Sequence, residues 1–220
     1  MAMNISINKS QTQQQEIPGC LPGFEHINRF WDKVHHIYSA KILPGEYYVS
    51  VQGELISTVL GSCISACIHD PVVGIGGMNH FMLPVSKKNI KAMDKASDAT
   101  RYGNYAMEKL VNEILKAGGK KQNLEVKLFG GGKVLAGLNT FDIGLQNITF
   151  IRGYVAFEEL NVISSDLGDI YPRKVLYFTD TGKIKMKKLR NIHNKTISER
   201  ENRYKTEINQ QPIQGEIELF

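Results

Sequence analysis

The chain has 220 residues, 42% of them hydrophobic, with 27 Lys or Arg against 22 Asp or Glu and a formal net charge of +5. This length can bury one hydrophobic core, so the sequence predicts a single domain. No apolar run approaches the roughly 18 residues of a transmembrane helix, and the N-terminus lacks the pattern of a secretory signal. Three cysteines without zinc-type spacing predict a cytoplasmic protein that holds no structural metal.

The positive charge is concentrated near the C-terminus. Nine Lys or Arg and two Glu lie between Lys183 and Lys205, which gives +7 in 23 residues. Such a segment is compatible with nucleic-acid binding, but no RNP motif, zinc finger or recognition helix accompanies it. We therefore expect a solvated basic extension or a surface that meets an acidic protein, and no nucleic-acid partner.

Composition divides the chain into three parts. Residues 1–17 are rich in Gln, Asn and Ser and predict a disordered tail. Residues 18–190 form the expected domain, and residues 191–220 form a polar basic extension in which residues 196–208 are compatible with a helix. Within the domain, the apolar residues of the segment Leu21–Asp32 recur at roughly helical spacing and predict a short docking helix.

The rest of the domain mixes strands and helices. The strongest helix carries Tyr102, Ala106, Leu110, Ile114 and Ala117 at intervals of three or four residues, and the two glycines that follow end it. The other predicted elements are strands broken by turns in 41–62, an exposed loop at 85–99, a strand entering a glycine turn in 123–132, a helix in 143–155, a strand at 162–168 and a hairpin in 174–189. Hairpins exclude a purely parallel sheet, so the fold class is α/β (α+β), one layered domain with a mixed or antiparallel sheet and flanking helices.

The segment Leu60–Pro84, LGSCISACIHDPVVGIGGMNHFMLP, concentrates thiol, imidazole and glycine. Its first part alternates as a strand, Asp70–Gly74 supplies a turn, and the remainder is again extended. With Pro71 and Val72 at the tip, Cys63 lies directly opposite His80, where Cβ atoms are about 5 Å apart. A buried structural pair and a catalytic pair both fit this placement.

A thiol beside an imidazole has a defined chemistry. The imidazole favours the thiolate, which attacks a carbonyl carbon, and it then protonates the leaving nitrogen. Backbone amides at Gly61 and Ser62 are candidates to stabilise the oxyanion. A hydroxyl from Ser57 or Thr58 is a candidate to orient the imidazole.

Several separated motifs, in order along the chain, resemble the CheD family of chemotaxis proteins, which deamidate glutamine side chains of chemoreceptors. They include LGSCISACIHDP, GGMNHFMLP, TRYGNYAMEKLVNEILKAGG, KLFGGGKVL, FDIGLQNITFIRGY and SSDLGDIYPRKV, and the resemblance covers residues 42–189. It implies that Cys63 is the nucleophile and His80 its partner. The third site residue of the family is a threonine six residues before the cysteine; that position here is Ser57, with Thr58 next to it, so either hydroxyl remains a candidate.

The resemblance also implies the reaction and the partners. The implied reaction is hydrolysis of a protein glutamine to glutamate and ammonia through a thioester, without a cofactor. The implied fold is similar to the catalytic domains of deamidating toxins. Chemoreceptors and a CheC-type phosphatase are the implied partners of a chain we expect to be monomeric. The alternative is a regulatory protein that binds receptors or the phosphatase without catalysis. The run Gly130–Lys133 lacks the P-loop pattern, so we interpret it as a tight turn bordering the site.

Overall fold

The computed structural model describes residues 17–84, 98–134, 142–190 and 195–210. Apart from Ile17, the tail predicted to be disordered lies outside these residues, as does most of the loop predicted at 85–99. The described parts contain ten strands and three α-helices: β1 Asn28–Asp32, β2 Ile37–Lys41, β3 Tyr47–Ser50, β4 Leu55–Leu60, β5 Ile64–Asp70, β6 Ile75–Asn79, α1 Asp98–Lys116, β7 Glu125–Gly130, α2 Ile143–Phe157, β8 Asn161–Leu167, β9 Arg173–Phe178, β10 Ile184–Lys188 and α3 Lys195–Gln210.

The strands form two five-stranded sheets. The first has the order β1-β2-β4-β9-β10 and the second has the order β3-β6-β5-β7-β8. Each sheet contains one parallel pair, β2 with β4 and β7 with β8, and all other neighbours are antiparallel. The predicted mixed α/β domain is thus confirmed.

The second sheet is the middle layer of the domain, and every residue of β5 and β6 is buried. Two adjacent glycines of β6 lie on opposite faces of this sheet and show what packs against each face. A Cβ on Gly76 would lie 2.5 Å from the Tyr177 hydroxyl of β9, and a Cβ on Gly77 would lie 2.7 Å from Leu110 of α1. The first sheet therefore covers one face, and α1 and α2 cover the other, which explains the nearly continuous apolar and small residues of this stretch.

The structure confirms the predicted helices α1 and α2 and the hairpin of β9 and β10, but the docking helix predicted at residues 21–32 is wrong. Its C-terminal half is strand β1, antiparallel to β2. Phe24 and Ile27 enter the core from turns, and Trp31 packs across the strand pair on Tyr38 with ring centroids 5.0 Å apart. Cross-strand pairing therefore overrides an apolar spacing that also suited a helix.

The predicted hairpin register is also wrong. Asp70 pairs with Ile75, and Ile64 bridges to Phe81, so Cys63 is not directly opposite His80. The cause is the turn, in which the Asp70 carboxylate accepts hydrogen bonds from the amides of residues 72 and 73 at 2.9 and 3.3 Å. This places the tip between Val72 and Val73, one residue later than predicted. The two side chains are thus expected to be diagonal neighbours.

Candidate active site

The loop of residues 61–63 connects β4 to β5, and the protein scaffold holds all three of its carbonyl groups. The carbonyl of residue 61 accepts a hydrogen bond from Gly132 N at 2.7 Å, and that of residue 62 accepts one from Asn147 Nδ2 at 2.8 Å. The carbonyl of residue 63 accepts one from Gly131 N at 2.8 Å. Because each carbonyl is fixed on the scaffold side, the loop presents its amide groups in the other direction. This is the geometry of a backbone nest, which favours a negative charge.

The glycine turn that follows β7 forms one side of this support. Gly130 has a φ of +114°, and a Cβ there would clash with the carbonyl oxygen of Cys63. A side chain at this position is thus excluded by sterics as well as by conformation. These contacts agree with the interpretation of the glycine run as a tight turn bordering the site.

Asn147 of α2 forms the other side, and it is fully buried. Besides donating to the carbonyl of Ser62, it accepts a hydrogen bond at Oδ1 from Leu83 N at 2.9 Å. It therefore joins the loop of residues 61–63 to the segment that follows His80. The only signal in the sequence is weak: Asn147 is a polar residue within an apolar helical stretch. A polar side chain in such a place indicates specific hydrogen-bond partners.

The amides of the loop converge on the carboxylate of Glu201, which lies on α3 and is 2% exposed. Gly61 N and Cys63 N donate to its Oε1 at 2.9 and 3.3 Å, and Ser62 N donates to its Oε2 at 3.0 Å. The Ser62 hydroxyl adds a fourth bond to Oε2 at 2.7 Å. The amides predicted as the oxyanion site thus hold a carboxylate.

Glu201 is the residue that sequence reasoning missed. The available signal was the spacing of α3, in which Ile197, Glu201, Tyr204 and Ile208 share one helical face. The structure buries the two isoleucines together with Glu201. A glutamate in the middle of a buried stripe indicates a specific partner.

His80 contacts Thr58, one of the two candidate hydroxyls. Thr58 Oγ1 donates to the carbonyl oxygen of Ile42 at 2.8 Å and lies 2.8 Å from His80 Nδ1. Since the hydroxyl has a single proton, which goes to the carbonyl, it accepts from Nδ1–H. We therefore assign the tautomer that leaves Nε2 without a proton.

Ser57 precedes Thr58 on β4 and is only half-buried. Side chains alternate between the faces of a strand, so Ser57 points away from the side that carries Thr58. The structure therefore brings Thr58 to the imidazole and leaves Ser57 on the opposite face.

The Cys63 thiol and the His80 imidazole are both buried, and neither is arranged to carry charge. Burial, followed by the nearby charge and hydrogen bond of Glu201, raises the pKa of Cys63 well above its ordinary value. Burial, with a smaller effect of Arg200, lowers the pKa of His80 to about 3. The His80 Nε2 atom has no hydrogen-bond partner among the described residues. The arrangement is thus a neutral thiol and a neutral imidazole beneath α3.

The surroundings of the site contain a second buried thiol and a cavity. Cys67, which lies on β5, is buried, and burial raises its pKa. A cavity of about 90 Å³ is lined by His80, Tyr102, Tyr105 and Lys109, among other residues. In the described part of the chain, no cluster of three His, Cys, Asp or Glu is arranged to hold a metal ion. None of the described helices combines the length and the apolar composition of a membrane span.

Comparisons with known proteins agree with the resemblance seen in the sequence. The family model described as CheD chemotactic sensory transduction matches residues 82–188. A protein of Halorhodospira halophila named probable chemoreceptor glutamine deamidase CheD is 54% identical over 206 residues, which cover 93% of this chain and 94% of that protein. A protein of Hahella chejuensis with the same name is 49% identical over 214 residues, which cover 97% of this chain and all of that protein.

Proposed function

Because the chain belongs to the CheD family, we propose that it is an enzyme that deamidates glutamine side chains of methyl-accepting chemoreceptors. The reaction converts a protein glutamine and water into glutamate and ammonia and tunes chemotactic signalling. The observation that carries this proposal is the loop 61–63, where three backbone amides converge on a carboxylate beside a buried cysteine. A carboxylate side chain is the product of glutamine deamidation.

The first half of the proposed reaction uses Cys63 and His80. The Nε2 atom of His80 takes the proton of the thiol, and the thiolate attacks the carboxamide carbon of the glutamine. The negative charge that develops on the amide oxygen is stabilised by the amides of residues 61–63, which the scaffold has already oriented. His80 returns the proton to the leaving nitrogen, so ammonia departs and a thioester remains.

The second half hydrolyses the thioester. A water molecule gives its proton to His80 and attacks the thioester carbon, which releases glutamate and restores the thiol. Thr58 acts throughout as a positioning residue, because its hydroxyl fixes Nδ1–H and keeps Nε2 available as the base.

The same proposal includes the substrate, the oligomeric state, the compartment and a partner. Methyl-accepting chemoreceptors are the substrates, a monomer acts on them in the cytoplasm, and a CheC-type phosphatase is a further partner. No cofactor is required, because a thiolate, a base and oriented amides suffice for amide hydrolysis. The alternative is a regulatory binding protein without activity, which the fully buried thiol of Cys63 favours.

Mass spectrometry of a purified receptor signalling fragment, incubated with the protein, separates the two. We expect a gain of about 1 Da at particular glutamines, together with stoichiometric ammonia release. Cys63→Ala is expected to abolish both, because no other group on this loop can form the thioester. Cys67→Ala is the matched control, since it removes an equally buried thiol four residues further along the chain, and its activity is expected to stay close to that of the wild type. Near-normal turnover by Cys63→Ala, or equal loss in both variants, contradicts the assignment of the nucleophile.

A further inference from the structure

The C-terminal helix α3 covers the candidate active site through two anchors on one face. The first is Glu201, whose carboxylate fills the nest of residues 61–63. The second is Tyr204, one turn further on, whose hydroxyl is hydrogen-bonded to that of Tyr102 on α1. A Cβ at Gly45, which has a φ of +89°, would lie 2.8 Å from the Tyr204 ring, so the glycine allows this close approach. The helix is thus seated by specific contacts on both sides of the site.

The chemistry of the first anchor is specific. The side chains of Ile197 and Ile208 on the same face are apolar, whereas Glu201 takes four hydrogen bonds from the loop. A Cβ on Gly61 would lie 2.7 Å from the carboxylate, so a residue with a side chain at position 61 would displace it. The loop is thus shaped to receive one side-chain carboxyl group presented by a helix.

We propose that α3 occupies the substrate site as an internal, product-like ligand, and that a receptor helix must displace it before catalysis. This inference rests on the proposed function, and it identifies the occupied surface as a groove for an α-helix. The matching substrate helix carries its glutamine where α3 carries Glu201. A large apolar or aromatic side chain follows one turn later, in the place of Tyr204.

Burial and charge explain why the covered state is inactive. Cys63 and His80 are 0% and 1% exposed, so no external side chain reaches either residue while α3 is seated. The negative charge of Glu201 beside the thiol also opposes formation of the thiolate. Departure of α3 removes both obstacles together and leaves the oriented amides free for a substrate oxygen.

The first test does not depend on deamidation. The rate at which iodoacetamide alkylates Cys63 is measured by peptide mass spectrometry in the full-length wild type, in Glu201→Ala and in Glu199→Ala. Glu199 is an exposed residue of the same helix, so its replacement is the matched control. We expect Glu201→Ala to raise the labelling rate of Cys63 at least tenfold and Glu199→Ala to leave it unchanged.

Cys67 serves as an internal reference in the same samples, because it is buried between the sheets and not beneath α3. Selective labelling of Cys63 supports displacement of the helix. Equal labelling rates in Glu201→Ala and the wild type, or a parallel rise at Cys67, overturn the inference, because the second result means that the whole domain opens.

The second test asks whether the side chain of residue 201 lies where a substrate glutamine would be attacked by Cys63. In Glu201→Gln the Cys63 thiolate can attack the carboxamide carbon of the new side chain. Ammonia leaves with a proton from His80, and water cleaves the thioester to restore glutamate at position 201. We expect a gain of about 1 Da on the peptide that contains residue 201, and no gain when Cys63→Ala is combined with Glu201→Gln.

The outcomes separate this inference from the proposed function. If the Glu201→Gln protein deamidates receptor fragments but keeps its own carboxamide at position 201, the product-like placement of Glu201 is overturned and the enzyme assignment stands. If it deamidates neither, while Glu201→Ala still exposes Cys63 selectively, the enzyme assignment is contradicted and α3 is supported as a removable cover.

Discussion

Two buried glutamates illustrate how differently one side chain can be used in this fold. Glu54, 3% exposed, accepts from Arg29 at 2.6 Å, from the Tyr48 hydroxyl at 2.5 Å and from the Ser50 hydroxyl at 2.9 Å. Glu201, 2% exposed, is held by three backbone amides and one hydroxyl. Within the described residues, a salt bridge is found for Glu54 but not for Glu201.

The partners of the two glutamates distinguish a structural carboxylate from one that occupies a site. Glu54 neutralises a buried arginine, so carboxylate and cation depend on each other. The amides around Glu201 belong to a loop whose carbonyls are fixed by other partners, so the loop keeps its shape without the glutamate. The hydrogen bonds that hold the loop do not depend on Glu201, so the Glu201 carboxylate occupies a site that another negatively charged group can fill.

The largest effect that tests this contrast is on stability. Glu54→Ala leaves the charge of Arg29, whose side chain is 8% exposed, without its anion, and we expect a loss of about 3–5 kcal/mol in the free energy of unfolding. Glu201→Ala is expected to cost no more than about 2 kcal/mol, because α3 can leave and water can reach the freed amides. Urea unfolding of both variants measures the difference, and an equal loss contradicts the distinction between the two glutamates.

The second effect depends on pH and concerns His80. Its pKa is lowered from 6.5 to about 3 in the folded state, so the unfolded chain binds a proton first as the pH falls. The resulting stability is fully present above pH 6.5 and is lost as the pH falls toward about 3, with a slope of about 1.4 kcal/mol per pH unit. Among the described residues, the Nε2 atom has no hydrogen-bond partner that would favour the charged form, in contrast to the pairing of Arg29 with Glu54.

Comparison of the wild type with His80→Gln isolates this slope. Urea unfolding at several pH values between about 5 and 7.5 is expected to show that the wild type loses stability relative to the variant below about pH 6.5. Parallel curves for the two proteins in this range would mean that His80 titrates normally in the folded state and is not buried as described.

The sequence predicts one part of this site well and another part poorly. Cys63, His80 and a nearby hydroxyl lie within 24 residues of one another, where strand alternation and turn signals constrain which side chains are neighbours. Even there the predicted register is wrong by one residue at the turn, because the Asp70 carboxylate organises a longer tip. Local patterns thus identify the participants more reliably than they fix the geometry.

The missing parts come from far along the chain. Glu201 lies 140 residues from Gly61, and Asn147 lies 85 residues from Ser62. No periodicity links such positions, because their proximity depends on how α2 and α3 dock on the layers. The basic composition of the C-terminal extension also suggested a solvated surface, which concealed the buried glutamate on its apolar face. The strands from β3 onward and the helices α1 and α2 were predictable because their patterns are local, whereas β1 was mistaken for a helix.

The smallest effect concerns which hydroxyl of β4 serves His80. Replacing Thr58 with Val removes the acceptor of Nδ1–H, so the imidazole can carry its proton on Nε2 and cannot then accept one from Cys63. We expect kcat on a receptor fragment to fall about tenfold, equivalent to about 1.4 kcal/mol in the activation free energy, with KM little changed. Thr58→Ser retains the hydroxyl and is expected to restore most of the activity. Ser57→Ala, on the other face of the same strand, is the matched control and is expected to match the wild type. The assignment fails if Ser57→Ala is as impaired as Thr58→Val, or if Thr58→Ser recovers nothing, since the hydroxyl would then have no part in orienting the imidazole.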